Sequence, residues 1–210
     1  MTEQPTTLRS RKAMAAETEA ALKDAALRVF AERGYLNAKI TDITAEAGRA
    51  AGSFYNHVAG KEELLTSLLE DLLEAGDESV ADPESAHNPD LSDPEAVRWH
   101  VAAFWQFQRD HLVVLTALRQ AAQVNAEFGA RVEQLMAADQ DHLIGHLDWI
   151  TKAGRSLPGD PAVVIAAMSG LLDGFAYRWQ LTAGRLGGRP VPDDEVIDTL
   201  TTFIHRALNG

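Results

Sequence analysis

Apolar residues recur at helical spacing along most of this chain, and few segments show the alternation of a half-buried strand. Leu22, Ala25 and Phe30 lie on one face of a first helix, over about 17–33, which Gly34 ends. Eight further helices are predicted over residues 40–47, 51–57, 61–76, 95–109, 111–124, 126–154, 161–183 and 193–208. The pattern therefore predicts an all-α fold of about nine helices.

Two stretches interrupt this pattern. The residues before about Ala15 are polar, include Arg9, Arg11 and Lys12, and predict a mobile arm that could track a groove on a partner or simply be disordered. Residues 77–94 hold three prolines and many acidic residues without periodicity, which predicts a loop.

Length and composition bound the class of protein. A chain of 210 residues can hold one large domain, or a small module with a larger one. No run approaches the roughly 18 apolar residues of a membrane span, and the N-terminal residues are too polar for a secretory signal. We therefore expect a cytoplasmic protein without a membrane partner. The absence of cysteine excludes disulfides, thiolate nucleophiles and cysteine zinc sites.

The charge is distributed unevenly along the chain. The net charge is -12, yet residues 1–61 carry 9 Lys or Arg against 7 Asp or Glu, while residues 62–210 carry 10 against 24. Only the first segment is suited to approach phosphate. Repulsion from the acidic remainder is screened beyond about 10 Å at moderate salt, so the total charge does not exclude a nucleic-acid-binding head.

Residues 34–65 can be assembled into a helix-turn-helix that reads DNA. The second helix of such a motif enters the major groove, so its outward residues are small or polar while its inner side packs on the first helix. That demand is met by Ala51, Gly52, Ser53, Asn56 and His57. Phe54 can anchor the inner face, and Tyr55 can place its hydroxyl against a phosphate. The alternative is an ordinary helical hairpin inside a bundle.

The residue pattern of this segment resembles the tetracycline repressor (TetR) family. The similarity lies in F-A-E-R-G-Y at 30–35, I-T-D-I-T-A-E-A-G at 40–48, G-S-F-Y-N-H-V at 52–58 and K-E-E-L-L at 61–65. It implies a dimeric bacterial transcription regulator with a DNA-binding helix-turn-helix domain at 1–60 and a helical ligand-binding and dimerisation domain at 61–210. The implied function is repression at a palindromic operator, ended when a small-molecule effector binds the larger domain.

Carried over by position, the resemblance assigns nine residues to the DNA interface. They are Lys39, Thr41, Ala51, Gly52, Ser53, Tyr55, Asn56, His57 and Lys61. Asn56 and His57 are the best candidates for contacts with base edges, and Tyr55 and Lys61 for contacts with phosphates.

Three residues depart from the family's usual pattern. Lys39 stands where a threonine commonly caps the second helix, so the capping there must differ. Arg49 stands where an apolar residue is common and could reach toward DNA, while Val58 replaces the usual phenylalanine and trims the hairpin core.

The larger domain carries aromatic residues at helical spacing, most of which we assign to the core. A minority could line a pocket, since ligand sites are largely apolar with a few orienting polar groups. The candidate effector-binding residues are Phe104, Trp105, Gln108, Arg119, Met168, Phe175 and Arg178. The resemblance implies a pocket without naming its occupant, and no cofactor is expected.

Asp139, His142 and His146 are spaced so that all three can lie on one face of a helix, where two imidazoles one turn apart can share a metal ion. The alternative, which we favour, is a solvated edge beside an apolar stripe, so no metal site is expected. A helical metal-binding enzyme stays an alternative function, as does a DNA-binding regulator that needs no ligand. No catalytic residue is assigned.

The last two predicted helices have the character of an association surface. Helix 161–183 is apolar almost all round, and the final helix carries a stripe of Val196, Ile197, Leu200, Phe203, Ile204 and Leu208. Large exposed apolar patches usually mark interfaces, so we expect a homodimer through these helices. The alternative is burial of this surface against the chain's own larger domain.

Overall fold

The computed structural model describes the backbone over residues 6–81 and 86–210, and side chains over 12–78, 86–138 and 142–210. Within these ranges the elements are α1 Thr6–Arg33, α2 Ile40–Glu46, α3 Ala51–Phe54, α4 Lys61–Ala81, α5 Pro94–Asp110, α6 Leu112–Val124, α7 Ala126–Lys152, α8 Pro161–Leu181, β1 Arg185–Leu186, β2 Arg189–Pro190 and α9 Asp193–Asn209. The predicted all-α fold is confirmed. Over the described residues, no helix is both long and apolar enough to cross a bilayer.

Two of the predicted boundaries are wrong. Helix α1 begins at Thr6, so the segment predicted as a mobile arm is helical from that residue onward. No glycine or proline interrupts it, and Ala13 and Ala15 are strong helix formers. Helix α4 runs through Gly76, where the sequence predicts its end, to Ala81, since one interior glycine costs a helix only about 1 kcal/mol.

The chain divides into two compact units. The first comprises the residues up to Asp77 together with Leu112–Gln134, and the second comprises Glu78–His111 with Leu135–Gly210. The first unit thus joins the helix-turn-helix segment to most of α4, to α6 and to the start of α7. The functional division predicted at residue 60 falls inside this unit and remains a proposed division of roles.

One face of α1 forms the centre of the first unit's core. Its buried residues recur every three or four positions, as a helix packed on one side requires. They are Leu22, Ala25, Ala26, Val29 and Phe30. Helix α1 contacts both α2 and α6, so the same helix supports the helix-turn-helix segment and a later helix of its unit.

The connection after α1 is fixed by a left-handed turn and a long-range hydrogen bond. Gly34 has φ +71°, and its N–H donates to the Phe30 carbonyl at 2.9 Å, which ends the helix. The next N–H, from Tyr35, donates to Oε1 of Gln120 on α6 at 2.9 Å. A Cβ atom at position 34 would lie 3.4 Å from that same oxygen. The turn therefore depends on glycine.

The second unit has its own core, built from α5, the later part of α7, α8 and α9. The N-termini of α5 and α8 are capped by Asp93 and Asp160, whose carboxylates accept backbone N–H groups of the first turn. The fully buried side chains at the centre include Val97, Leu147, Ile150 and Val196. Helices α5 and α9 contact each other along this core.

Most of the apolar stripe predicted on the final helix lies inside this core. All of its residues are buried within the second unit except Phe203, which is 60% exposed. For most of α9 the alternative expectation, burial against the chain itself, is therefore correct.

A small hairpin precedes α9. Strands β1 and β2 pair antiparallel through Arg185 and Pro190, and the turn between them uses Gly187 and Gly188, both with positive φ. The sequence offers no strand-length apolar alternation here, so this hairpin is not predicted.

Replacing Gly34 by Ala should lower the free energy of unfolding by about 1 to 2 kcal/mol, the usual cost of a left-handed backbone at a residue with a Cβ. Gly76→Ala is the matched control, because Gly76 lies inside α4 with no heavy atom near its absent Cβ. That control should be neutral or slightly stabilising. Urea unfolding of both variants measures the difference; equal midpoints would contradict the role of the turn.

Candidate nucleic-acid interface

The helix-turn-helix is formed by α2, a turn at residues 47–50, and α3. Helix α3 ends at Phe54, but the N–H groups of His57 and Val58 both donate to the Phe54 carbonyl at 3.0 Å, which adds one more turn. Gly48 has φ +64° and lets the chain reverse between the two helices. Residues 51–57 thus form the short, continuous segment that the sequence predicts.

Buried side chains fix the inner face of this segment. Phe54 and Ile43 are completely buried, and Val58 is 7% exposed. Val58 therefore fills the hairpin core at the position where the family commonly has phenylalanine.

The opposite face of the segment is open to solvent. Ala51, Gly52, Tyr55 and Asn56 are exposed, and His57 is half-buried. Tyr55 is 61% exposed, and its ring meets the buried Phe54 ring edge-on, with 5.5 Å between centroids. Small and polar groups thus stand on a rigid base, as a helix that enters the major groove requires.

Helix α2 is capped without the usual threonine. A lysine side chain has no acceptor, and the cap is supplied instead by Asp42, which accepts the Lys39 N–H at 3.1 Å. The Lys39 carbonyl in turn accepts the N–H groups of Asp42 and Ile43. Lys39 and Thr41 are both exposed at this end of α2. The altered residue therefore leaves the helix start intact and adds an exposed cation.

Arg49 does not point freely into solvent. Its guanidinium lies 3.5 Å from a carboxylate oxygen of Glu17 on α1, and its side chain is 35% exposed. This contact draws Arg49 back onto the protein, whereas the sequence suggests that it could reach toward DNA.

Lys61, the first residue of α4, uses its ammonium inside the protein. Nζ donates to the Tyr35 carbonyl at 2.9 Å and to the Ala38 carbonyl at 2.7 Å, and lies 4.4 Å from the Tyr35 ring centroid. Burial lowers the pKa of Lys61, while neighbouring Glu62 opposes the shift. Burial, with a smaller effect of Glu62, raises the pKa of Tyr35 to about 12.

An ammonium group has three N–H donors, so Lys61 keeps one donor beyond these two bonds. Its first role in the structure is to tie the start of α4 to the connection between α1 and α2. The side chains of Arg9 and Arg11 lie outside the described residues.

Most of the candidate effector-binding residues meet in the second unit. Trp105 is buried with its ring centroid 6.0 Å from that of Phe175 and 5.3 Å from that of Trp179. Phe104 and Met168 are partly buried against the same core. Arg178 is exposed, and Arg119 belongs to the first unit.

A polar pair joins the same two helices, α5 and α8. Gln108 is 4% exposed, and its Nε2 donates to Oδ1 of Asp173 at 2.9 Å. Among the described residues, Gln108 Oε1 and Trp105 Nε1 are buried without a hydrogen-bond partner. Sequence reasoning missed Asp173, although a lone acidic residue inside the apolar helix 161–183 was a usable signal. Trp105 Nε1 is thus an unused donor and Gln108 Oε1 an unused acceptor on α5.

Several apolar side chains of α8 and α9 stay exposed. Val163, Leu171, Tyr177, Leu181 and Phe203 are 36–70% exposed. A shallow groove also runs along the outer face of α9, with Phe203 in its lining. This narrower set, rather than the whole predicted stripe, is what α8 and α9 offer to a partner.

The face predicted for Asp139, His142 and His146 is only partly described. The Asp139 side chain lies outside the described residues, His142 is exposed, and His146 is buried. The His146 ring packs against the rings of His87 and His100, which lie far from it in the sequence.

The chain is similar to known regulators over most of its length. A family model described as bacterial regulatory proteins, tetR family, matches residues 22–68. The chain is 30% identical to the HTH-type transcriptional regulator BetI of Agrobacterium fabrum over 175 residues. These residues make up 82% of this chain and 81% of that relative. It is 29% identical over 133 residues to the HTH-type transcriptional repressor NicS of Pseudomonas putida, over 63% of this chain and 60% of that one.

Solved structures share the fold. The fatty acid degradation regulator FadR from Bacillus halodurans has a TM-score of 0.70 at 23% identity, over 92% of this chain and 95% of that chain. The TetR family transcriptional regulator PfmR from Thermus thermophilus has a TM-score of 0.62 at 22% identity, over 90% of this chain and 98% of that chain. The predicted fold, a helix-turn-helix head with a larger helical domain, is thereby confirmed.

Replacing Lys61 by Met should lower the free energy of unfolding by about 1 to 3 kcal/mol, because two carbonyls lose a charged hydrogen-bond donor. Tyr55→Phe should leave stability unchanged, since the Tyr55 side chain is 61% exposed. Urea unfolding of both variants tests this. A Lys61→Met variant as stable as the wild type would show that the ammonium does not hold the connection.

Proposed function

Because this chain belongs to the tetR family of bacterial regulatory proteins, we propose that it is a repressor which a small molecule releases from a palindromic operator. Family membership makes it a DNA-binding transcriptional regulator and not an enzyme. The sign of regulation, the release by a ligand and the roles of individual residues are the proposal.

The exposed face of α3 and its following turn is the observation that carries this proposal. Asn56 and His57 offer hydrogen-bonding groups suited to base edges, and the exposed Tyr55 hydroxyl is suited to a phosphate. Ala51, Gly52 and Ser53 are small enough to let the backbone approach the groove floor. Lys39, Thr41 and the remaining N–H of Lys61 flank this face.

The uneven charge supports sequence-dependent binding over indiscriminate binding. Residues 1–61 carry 9 Lys or Arg against 7 Asp or Glu, so the head itself attracts phosphate only weakly. Affinity for arbitrary DNA comes almost entirely from such attraction. A protein with this balance needs base contacts and two heads on one site to bind tightly, which is what a palindrome provides.

The effector would bind among Phe104, Trp105, Met168 and Phe175, oriented by Gln108. Buried Trp105 Nε1 can donate a hydrogen bond and Gln108 Oε1 can accept one, so the proposed ligand is a largely apolar molecule with a polar end. A coupling of about 1 to 3 kcal/mol between this site and DNA would weaken operator binding about 5- to 150-fold. A regulator of chromosomal operators acts in the bacterial cytoplasm, and the proposal includes that location.

Purified protein should enrich a palindrome when it selects from a random duplex library at moderate salt, and sequencing of the retained DNA measures this.

Tyr55→Phe should weaken binding equally on all retained sequences, because phosphates are common to them, whereas His57→Ala should relax the preference at one base pair. Ser156→Ala, which deletes an exposed hydroxyl in the second unit, is the control and should bind like the wild type.

No enrichment by a folded protein would contradict the operator proposal. Equal losses on every sequence for His57→Ala would contradict its role in base reading. A retained palindrome with an affinity that no tested apolar ligand changes would favour a regulator without an effector.

Replacing Phe203 by Glu should convert the dimer to a monomer, since Phe203 is 60% exposed on α9 and a charge there would be buried in a two-fold interface. Sedimentation velocity measures the change, and operator affinity should fall with it. Leu36→Glu is the control, because Leu36 is 53% exposed but lies in the first unit. A dimeric Phe203→Glu protein would place the interface elsewhere.

A further inference from the structure

Three histidines from separate parts of the chain converge in the second unit. His87 comes from the segment before α5, His100 from α5 and His146 from α7, and one ring nitrogen of each lies within 4.8 Å of the other two. Their ring centroids are 5.1–5.2 Å apart. Over the described part of the chain, no other group of His, Asp or Glu side chains meets this geometry.

The hydrogen bond of His100 sets its tautomer. Nδ1 lies 2.8 Å from the Ala96 carbonyl, and a carbonyl can only accept, so Nδ1 carries the hydrogen. Nε2 then presents a lone pair, and it is buried without a hydrogen-bond partner among the described residues. Metal-binding histidines commonly show this arrangement, with one nitrogen donating to a carbonyl and the other on the metal.

His146 provides a second, independent observation. Its side chain is 8% exposed, and its Nδ1 is also buried with no hydrogen-bond partner among the described residues. Buried polar atoms in folded proteins are almost always paired, so two unpaired nitrogens in one cluster call for a ligand.

We propose that His87, His100 and His146 together bind one divalent transition-metal ion, with Zn²⁺ as the best match. Three imidazole nitrogens and no cysteine or oxygen ligand favour zinc over magnesium or calcium, which prefer oxygen. Zinc bonds of about 2.0 Å place tetrahedral ligand nitrogens about 3.4 Å apart. From separations of at most 4.8 Å, the three nitrogens therefore approach one another by up to about 1.4 Å on binding. Water completes the coordination.

The competing explanation is aromatic packing alone. The Trp99 ring lies 5.0 Å from the rings of both His87 and His100, in the edge-on geometry of ordinary aromatic contacts. Packing accounts for the ring distances but leaves the two buried nitrogens unpaired. His142, whose ring is 5.7 Å from that of His146, is exposed and is not a member of the ligand group.

The test is zinc binding by the untagged full-length protein after chelator treatment, measured by equilibrium dialysis and metal analysis. The wild type should bind one Zn²⁺ per chain at these residues, and His100→Gln and His146→Gln should each lose at least about 100-fold in affinity, more than loss of an outer partner costs. His111→Gln is the matched control, since His111 lies in the same unit outside the cluster. It should bind like the wild type.

Stability gives a second readout. Zinc at about 100 times its dissociation constant should raise the melting temperature of the wild type by about 5 °C or more, and should not raise that of His146→Gln. If a buried variant fails to fold, half-buried His87→Gln replaces it. Bound Co²⁺ should also give the visible absorption of a tetrahedral site.

Failure to take up zinc, or an equal loss in His111→Gln, would overturn the metal site and leave the aromatic cluster as packing. The site does not depend on the proposed repressor function. Operator selection and zinc binding are measured separately, so one can fail while the other stands.

Discussion

The ammonium of Lys61, held between the carbonyls of Tyr35 and Ala38, is the interaction on which the DNA-binding end depends. It joins the first residue of α4 to the connection between α1 and α2, beside the turn that Gly34 and Gln120 fix. A partly buried cation is stable only where carbonyl dipoles and an aromatic face replace water, and all of these are present. The exposed face of α3 is therefore presented by a rigid support.

The second unit differs, because a few polar side chains are buried within its apolar helical bundle. Gln108 of α5 pairs with Asp173 of α8, and the His100 ring contacts both the Trp99 ring and the His146 ring of α7. A bundle of leucine and valine alone would be as stable without them, because burying a polar group costs free energy unless it is paired. The proposed effector and zinc sites would give these groups a role in binding rather than in stability.

The sequence predicts what depends on local spacing, and fails where distant residues meet. The helices and the outward face of α3 follow from periodicity and from glycines such as Gly34. Nothing in the spacing links Lys61 to Tyr35, Arg49 to Glu17, or His146 to His87, because those contacts arise only when helices pack. The prediction that the whole α9 stripe forms an interface fails for the same reason. Periodicity shows that a face is covered, but not which part of the protein or which partner covers it.

The basic residues of the head are largely engaged within the protein, which limits how it can hold DNA. The ion pairs that engage them include Lys23 with Asp71, Arg28 with Glu46, Arg33 with Asp42 and Arg49 with Glu17. Among the described side chains of the head, Lys12 and Lys39 are the exposed cations outside these ion pairs. Each phosphate contact steepens the slope of log affinity against log salt concentration by about 0.9. A head with few such contacts therefore binds arbitrary DNA weakly, and its affinity falls only slowly as salt increases. Discrimination by such a head must then come from its base contacts and from the geometry that places two heads on one site.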